Sequence, residues 1–132
     1  MRLYVVRHAE AERGDGSADE LRRLTPAGRE QARQLGRLLA ADGVRPDAVL
    51  TSPLLRARET GEELASATGS TAEPDERLAP GATAADVLDV VTGRGATVVV
   101  VGHQPDCGRI AAGLSGQPEP AFPAGAMVAL DV

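Results

Sequence analysis

Three short stretches of the chain carry residues whose types suit phosphate chemistry: Arg7-His8, Ser52 with Arg56 four positions on, and Gly102-His103. Arginine presents a planar, permanently charged fork that matches phosphate oxygens. Neutral imidazole is a competent nucleophile toward phosphorus. A second imidazole can donate a hydrogen bond to charge as it develops. A helix beginning just after Ser52 would add backbone N–H donors and a dipole favourable to an anion. The chain has only two histidines, and both fall in this set. Taken singly, each would read more simply as the polar end of a buried strand. No Gly-x-x-x-x-Gly-Lys loop is present, which excludes Walker-type nucleotide hydrolysis. Cys107 is not followed by a glycine-rich turn ending in arginine, so a cysteine-based phosphatase loop is absent as well. Histidine-based phosphoryl transfer is the chemistry that fits.

The elements that must position these residues can be read from the same sequence. "LYVV" at 3–6, "AVLT" at 48–51 and "TVVVV" at 97–101 are short, aliphatic or β-branched, and bounded by polar residues. That pattern predicts strands of a parallel sheet covered on both faces. In "LTPAGREQARQLGRLLAADG", Thr25 is a suitable N-cap and Pro26 a suitable first helical residue. Ala32, Leu35, Leu38 and Leu39 supply an apolar stripe, and Gly43 a stop. Further helices are expected over about 53–68, about 83–92 and from near Pro105 to about Leu114, with one more strand in "AMVALDV". Alternating strands and helices predict an α/β fold, three layers α/β/α around a mostly parallel sheet. In such sheets ligands bind beyond the carboxyl ends of the strands. His8, Ser52 and His103 all fall at or directly after a strand end. The turn-rich segments 12–20 and 115–125 are expected to be the most flexible.

Bulk properties narrow the class. At 132 residues, 42% apolar and 25% charged, the chain suits a single globular domain over 1–132 with a core that needs no metal or disulfide. One cysteine cannot form an internal disulfide, and two histidines give no zinc-finger spacing. No metal and no cofactor are expected at the site, because arginines supply its positive charge. The first apolar run, about five residues, meets Arg7 at once and does not resemble a secretory signal. No stretch approaches the roughly 20 apolar residues of a membrane span. A cytoplasmic, membrane-free monomer is the expectation. A formal charge of −5 argues against a nucleic-acid partner. All 14 positive side chains are arginine, so arginine counts only where its placement is special.

The segments "RHAEAE", "LTPAGREQA", "SPLLRARET" and "VGHQP" resemble, in order, the successive motifs of the histidine phosphatase superfamily. That superfamily includes phosphoglycerate mutases, small acid phosphatases and SixA-type phosphohistidine phosphatases. The resemblance implies a phosphoglycerate mutase-like fold. It implies that His8 is the nucleophile that is transiently phosphorylated, that Arg7 and Arg56 clamp phosphate, and that His103 is the second pocket histidine. Ser52 and Thr60 match positions that support the site. Ala9 departs from the glycine common in the family and implies that the backbone there needs no glycine-only conformation.

The leaving group bears on the substrate. An alkoxide leaves poorly without a proton, and ester-cleaving members of the superfamily supply one, usually from a glutamate. Here the corresponding region, "EPDERLAPGATAADV", holds Glu76 but lacks the usual pattern. Imidazole, with a pKa of about 6.5, leaves far more easily. The chain is also too short for the long insertions of the mutases, which predicts a shallow, open pocket. Both features favour a phosphate-bearing substrate of the phosphohistidine-protein kind, with a small-molecule phosphomonoester as the alternative. A non-catalytic phosphate-binding module is the contrasting class. Whether Glu10, Asp15, Asp19, Glu76 or none of them donates a proton remains open. Arg22 and Arg23 are most simply surface residues, and Cys107 a small core residue.

Overall fold

In a computed structural model, which describes residues 1–14 and 16–132, the valine-rich and leucine-rich runs pair into one five-stranded sheet. Its strands are β1 (Arg2–Arg7), β2 (Ala48–Thr51), β3 (Ala72–Pro74), β4 (Thr97–Gly102) and β5 (Met127–Asp131). The spatial order is β3-β2-β4-β1-β5, parallel throughout except for β5, which runs antiparallel to β1. Helices α1 (Pro26–Ala41), α2 (Leu55–Thr68), α3 (Ala84–Val91) and α4 (Asp106–Ser115) complete the fold. Among the described residues no helix is long and apolar enough to cross a membrane.

Period-two alternation along the strands sorts the helices onto two faces. Leu3, Val5, Val98 and Val100 point to one face, where α3 and α4 bury Val87, Val90, Val91, Ile110 and Ala111 against them. Val6, Val49, Val99 and Val101 point to the other, against Leu39 of α1 and Ala57, Leu64 and Ala65 of α2. This is the expected α/β/α layering. Each fully buried valine contributes about 1.5–3 kcal/mol of transfer free energy. The all-valine stretch of β4 therefore anchors the middle of the sheet. β3 has no counterpart in the sequence reading. It is a three-residue edge strand containing Pro74, and an edge tolerates the missing N–H that a central strand would not.

Two details bring α1 against the turn that follows β1. Thr25 caps α1 by accepting from Gly28 N–H at 2.9 Å, as its position predicts. A Cβ added at Gly28 would lie 2.0 Å from the carbonyl oxygen of Glu10, so only glycine lets the helix approach this closely. Ala9 adopts no positive φ, and its methyl group is buried with Leu24 and Ala32. Alanine in place of the family glycine fills a small cluster beneath the turn.

Candidate active site

The carboxyl ends of β1, β2 and β4 are neighbours, and the connection from β1 crosses one face of the sheet while that from β4 crosses the other. A crevice opens where neighbouring strands send their connections apart. His8 continues the pairing of β1: its N–H donates to Gly102 O at 3.0 Å and its carbonyl accepts from Gly125 N–H at 3.0 Å. The imidazole is buried, and Nδ1 lies 2.7 Å from the carbonyl oxygen of Ala9. A carbonyl only accepts, so Nδ1 carries the proton and the Nε2 lone pair is left available in the neutral ring. Ala9 N–H is itself held by Thr60 Oγ1 at 3.0 Å, and that hydroxyl donates to the carbonyl of Arg56 at 2.8 Å. Thr60, completely buried, thus ties the turn that carries His8 to the helix that carries Arg56.

His103 follows β4 and lies with its ring centroid 5.3 Å from that of His8, the two planes tilted by 57°. Its Nε2 is 2.7 Å from Ser52 Oγ; that hydroxyl accepts from Leu54 N–H at 3.2 Å and donates its own proton to Nε2 in the tautomer that leaves the ring N–H on Nδ1. Ser52, fully buried, orients the second imidazole from the end of β2.

Arg7 and Arg56 each have terminal nitrogens held by the protein. Arg7 Nη1 donates to Phe122 O at 3.0 Å. Arg56, 6% exposed, donates from Nη1 to Asp19 O at 3.0 Å and from Nη2 to Asp19 Oδ2 at 3.2 Å. Among the described residues, the buried side-chain polar atoms without a partner are Arg7 Nε, Arg56 Nε and His103 Nδ1. An orphaned buried donor costs about 1–3 kcal/mol. The protein concentrates that cost in one place, on groups that complement an oxyanion.

Burial sets the protonation of both rings. It is the main cause that pushes His8 down to about 4, and the charges of Arg56, Arg7 and Arg22 add to it, against the opposing bond to Ala9. Burial also brings His103 to about 4, followed by His8, Arg56 and Arg7, with Asp19 opposing. Both rings are neutral at pH 7. In the ligand-free protein, proton NMR should therefore show both imidazole signals flat from pH 8 to 5.5 and moving only near pH 4. A midpoint near 6.5 for either would overturn the assignment. The sign for stability follows by linkage. The unfolded chain takes up these protons near pH 6.5, and the native state only near 4. The stability from two neutral rings is complete above pH 6.5 and is lost as the pH falls toward 4, by about 1.4 kcal/mol per unit per ring.

A cavity of about 360 Å³ is lined by Arg7, His8, Glu10, Arg22, Arg56 and His103, with Ala11, Gln104 and Ala124 completing the wall. Three of the four residues singled out from sequence for catalysis are buried and the fourth, Arg7, is half-buried; all four meet here. Ser52 stands behind His103. Arg22 joins them although its sequence context marked it as a surface residue. Asp19 Oδ1 holds its Nε at 2.9 Å, and its Nη1 donates to Glu12 O at 3.0 Å. Its only signal in the sequence is its place just before "LTPAG", and thirteen other arginines obscure that. Segment 115–125, expected to be flexible, is instead tied to the site. Phe122 is buried in the core and accepts from Arg7, Ala124 O accepts from Gln31, and Gly125 donates to His8. Of the carboxylates considered as proton donors, Asp19 is committed to two arginines, which hold its carboxyl below the usual range. Glu76 opens the 3₁₀ turn 76–78, away from the cavity lining. Asp15 lies outside the described residues.

Comparison with known proteins gives a consistent result. The model of the histidine phosphatase superfamily (branch 1) matches residues 3–80. An uncharacterized protein of Picosynechococcus is 40% identical over 82% of this chain and 69% of its own length. The phosphohistidine phosphatase SixA of Escherichia coli is 32% identical over 98% of this chain and 84% of its own. The solved structure of SixA complexed with tungstate superposes with a TM-score of 0.89 at 29% identity, covering all of this chain and 88% of the other.

Proposed function

This chain belongs to the histidine phosphatase superfamily, and from that premise we propose that it hydrolyses phosphohistidine on proteins through a transient phosphohistidine at His8. It is a phosphatase, and the proposal concerns its substrate and the division of labour among its residues. His8 Nε2 attacks phosphorus in line, and the P–N bond of the substrate breaks as its imidazole departs. Water then attacks phospho-His8, releasing phosphate and returning the neutral ring. Arg7, Arg56 and His103 hold the equatorial oxygens through both steps. Ser52 orients His103. Arg22 adds a third positive charge to the cavity wall.

One observation carries this reading: the Nδ1–H of His8 is spent on Ala9 O, which leaves the Nε2 lone pair free on a ring that lines the same cavity as three arginines, instead of leaving the tautomer to chance. A ring kept neutral by burial is ready to attack at physiological pH. The substrate class is supported by the likeness to SixA over nearly the whole chain and by a cavity whose acidic lining, among the described residues, is limited to Glu10. An ester of a poor alcohol leaving group would ask more of the site than a phosphorylated imidazole.

The test compares a phosphohistidine peptide, a phosphoglycerate and an aryl phosphate at matched concentrations. The expected order of kcat/KM places the phosphohistidine peptide at least tenfold above the phosphoglycerate. A preference for the phosphoglycerate would overturn the substrate reading and favour a small-molecule phosphomonoesterase of the same superfamily.

A further inference from the structure

Expelling a phosphorylated imidazole is fastest when the ring nitrogen remote from phosphorus carries a proton, because the ring then departs as neutral imidazole. Something in the cavity has to favour that proton. Around it stand Arg7, Arg22 and Arg56, all of which oppose a cationic leaving group. Among the described lining residues one alone is acidic, Glu10. Its main chain is fixed firmly on the α1 side: the N–H donates to Gln31 Oε1 at 3.2 Å and the carbonyl accepts from Thr25 N–H at 3.1 Å. The close approach of Gly28 presses on that same peptide. With both main-chain polar groups engaged by α1 and the residue exposed at the cavity wall, the carboxylate is the polar group that Glu10 has left to offer there. No described arginine within ion-pair distance neutralises its carboxylate, although three line the same cavity; Asp19, by contrast, is shared by two of them.

From this arrangement we propose that Glu10 is a catalytic residue that recognises the leaving group, accepting a hydrogen bond from the remote N–H of the substrate's phosphorylated imidazolium. The proton on that nitrogen comes from solvent before the chemical step. When His8 Nε2 forms its bond to phosphorus, the electron pair of the old P–N bond returns to the departing ring. The ring leaves neutral, still holding the proton that Glu10 stabilised. An aryl phosphate offers no such N–H and expels an oxyanion that needs no proton, so Glu10 has little to act on there. The proposal rests on the phosphohistidine reading of the substrate and adds a residue that selects nitrogen leaving groups over oxygen ones.

The experiment measures kcat and KM for Glu10→Gln and Glu10→Asp on a phosphohistidine peptide and on an aryl phosphate. Glu10→Gln keeps the size of the side chain and its main-chain bonds while removing the charge. Its kcat on phosphohistidine should fall about thirtyfold and on the aryl phosphate no more than about threefold, so the ratio of the two falls about tenfold. Glu10→Asp, which keeps the charge, should recover part of the ratio. Equal losses on both substrates, or no loss on phosphohistidine, would overturn the assignment. If the unaltered protein fails to turn over phosphohistidine, the substrate reading fails and this role for Glu10 goes with it. If the unaltered protein succeeds and Glu10→Gln leaves the ratio untouched, only the role of Glu10 is lost.

Discussion

Replacing His8 with alanine should abolish turnover, by a factor on the order of 10⁴ to 10⁶ in kcat, which is the scale on which loss of a nucleophile is felt. Binding of orthophosphate or vanadate should survive the same change with less than about a tenfold loss in affinity. The two outcomes separate because the ring contributes a lone pair to chemistry and little to anion binding. Its Nδ1–H is committed to Ala9 O, and as a neutral group it brings no charge to the cavity. The oxyanion donors on Arg7, Arg56 and His103 are supported by other contacts, with Phe122, Asp19 and Ser52. Acid-labile phosphate trapped on the native protein during turnover should be missing from the variant. Near-normal hydrolysis by His8→Ala would defeat the mechanism. It would also be the pattern of a protein that binds phosphate and owes its turnover to a contaminant.

The second large effect is expected at Arg56. Truncation to alanine should lower kcat/KM by about 10² to 10⁴, since two charge-assisted hydrogen bonds at about 1.5–3 kcal/mol each are at stake. The effect has a second component. Asp19 donates nothing to phosphate, yet its carboxylate and carbonyl receive both terminal nitrogens of Arg56. Removing the guanidinium leaves that carboxylate balanced by Arg22 alone at the edge of the cavity, where it repels an incoming phosphoryl group. The double variant Arg56→Ala with Asp19→Asn should therefore regain about tenfold over Arg56→Ala, a non-additivity that a double-mutant cycle reads directly. Lysine at 56 should fall between, because a point charge replaces a fork. A loss smaller than threefold in Arg56→Ala would remove Arg56 from the phosphate clamp.

Much of the framework was legible without coordinates because it depends on local patterning. Short runs of valine and leucine, aliphatic or β-branched and bounded by polar or turn residues, are buried as strands between two helical layers. The residues that follow them emerge at one edge, and so Arg7, His8, Ser52 and His103 could be placed together. The Thr25 cap and Pro26 start of α1 likewise depend on residues within one turn of helix. What resisted reading was held by partners distant in sequence. β3 exists only because β2 offers it an edge. The offset from Ser52 singled out Arg56 but not its depth: packing buries it and leaves Arg58, two positions on, in solvent. Segment 115–125 reads as turns, but Phe122 in the core and the bonds to Arg7 and His8 pin it.

The residue types and their order along the chain determined by themselves that two imidazoles and two arginines would gather beyond the carboxyl ends of a parallel sheet, and they determined the family to which those motifs belong. Only the tertiary structure decided which nitrogen of His8 is free, that Arg22 enters the cavity, and that Asp19 is spent while Glu10 is not. The reason is physical: strand ends are specified by neighbours in sequence. A tautomer, a guanidinium orientation and an unpaired carboxylate are specified by single hydrogen bonds to neighbours in space, or by their absence, as with the Ala9 carbonyl and the main chain and carboxylate of Asp19.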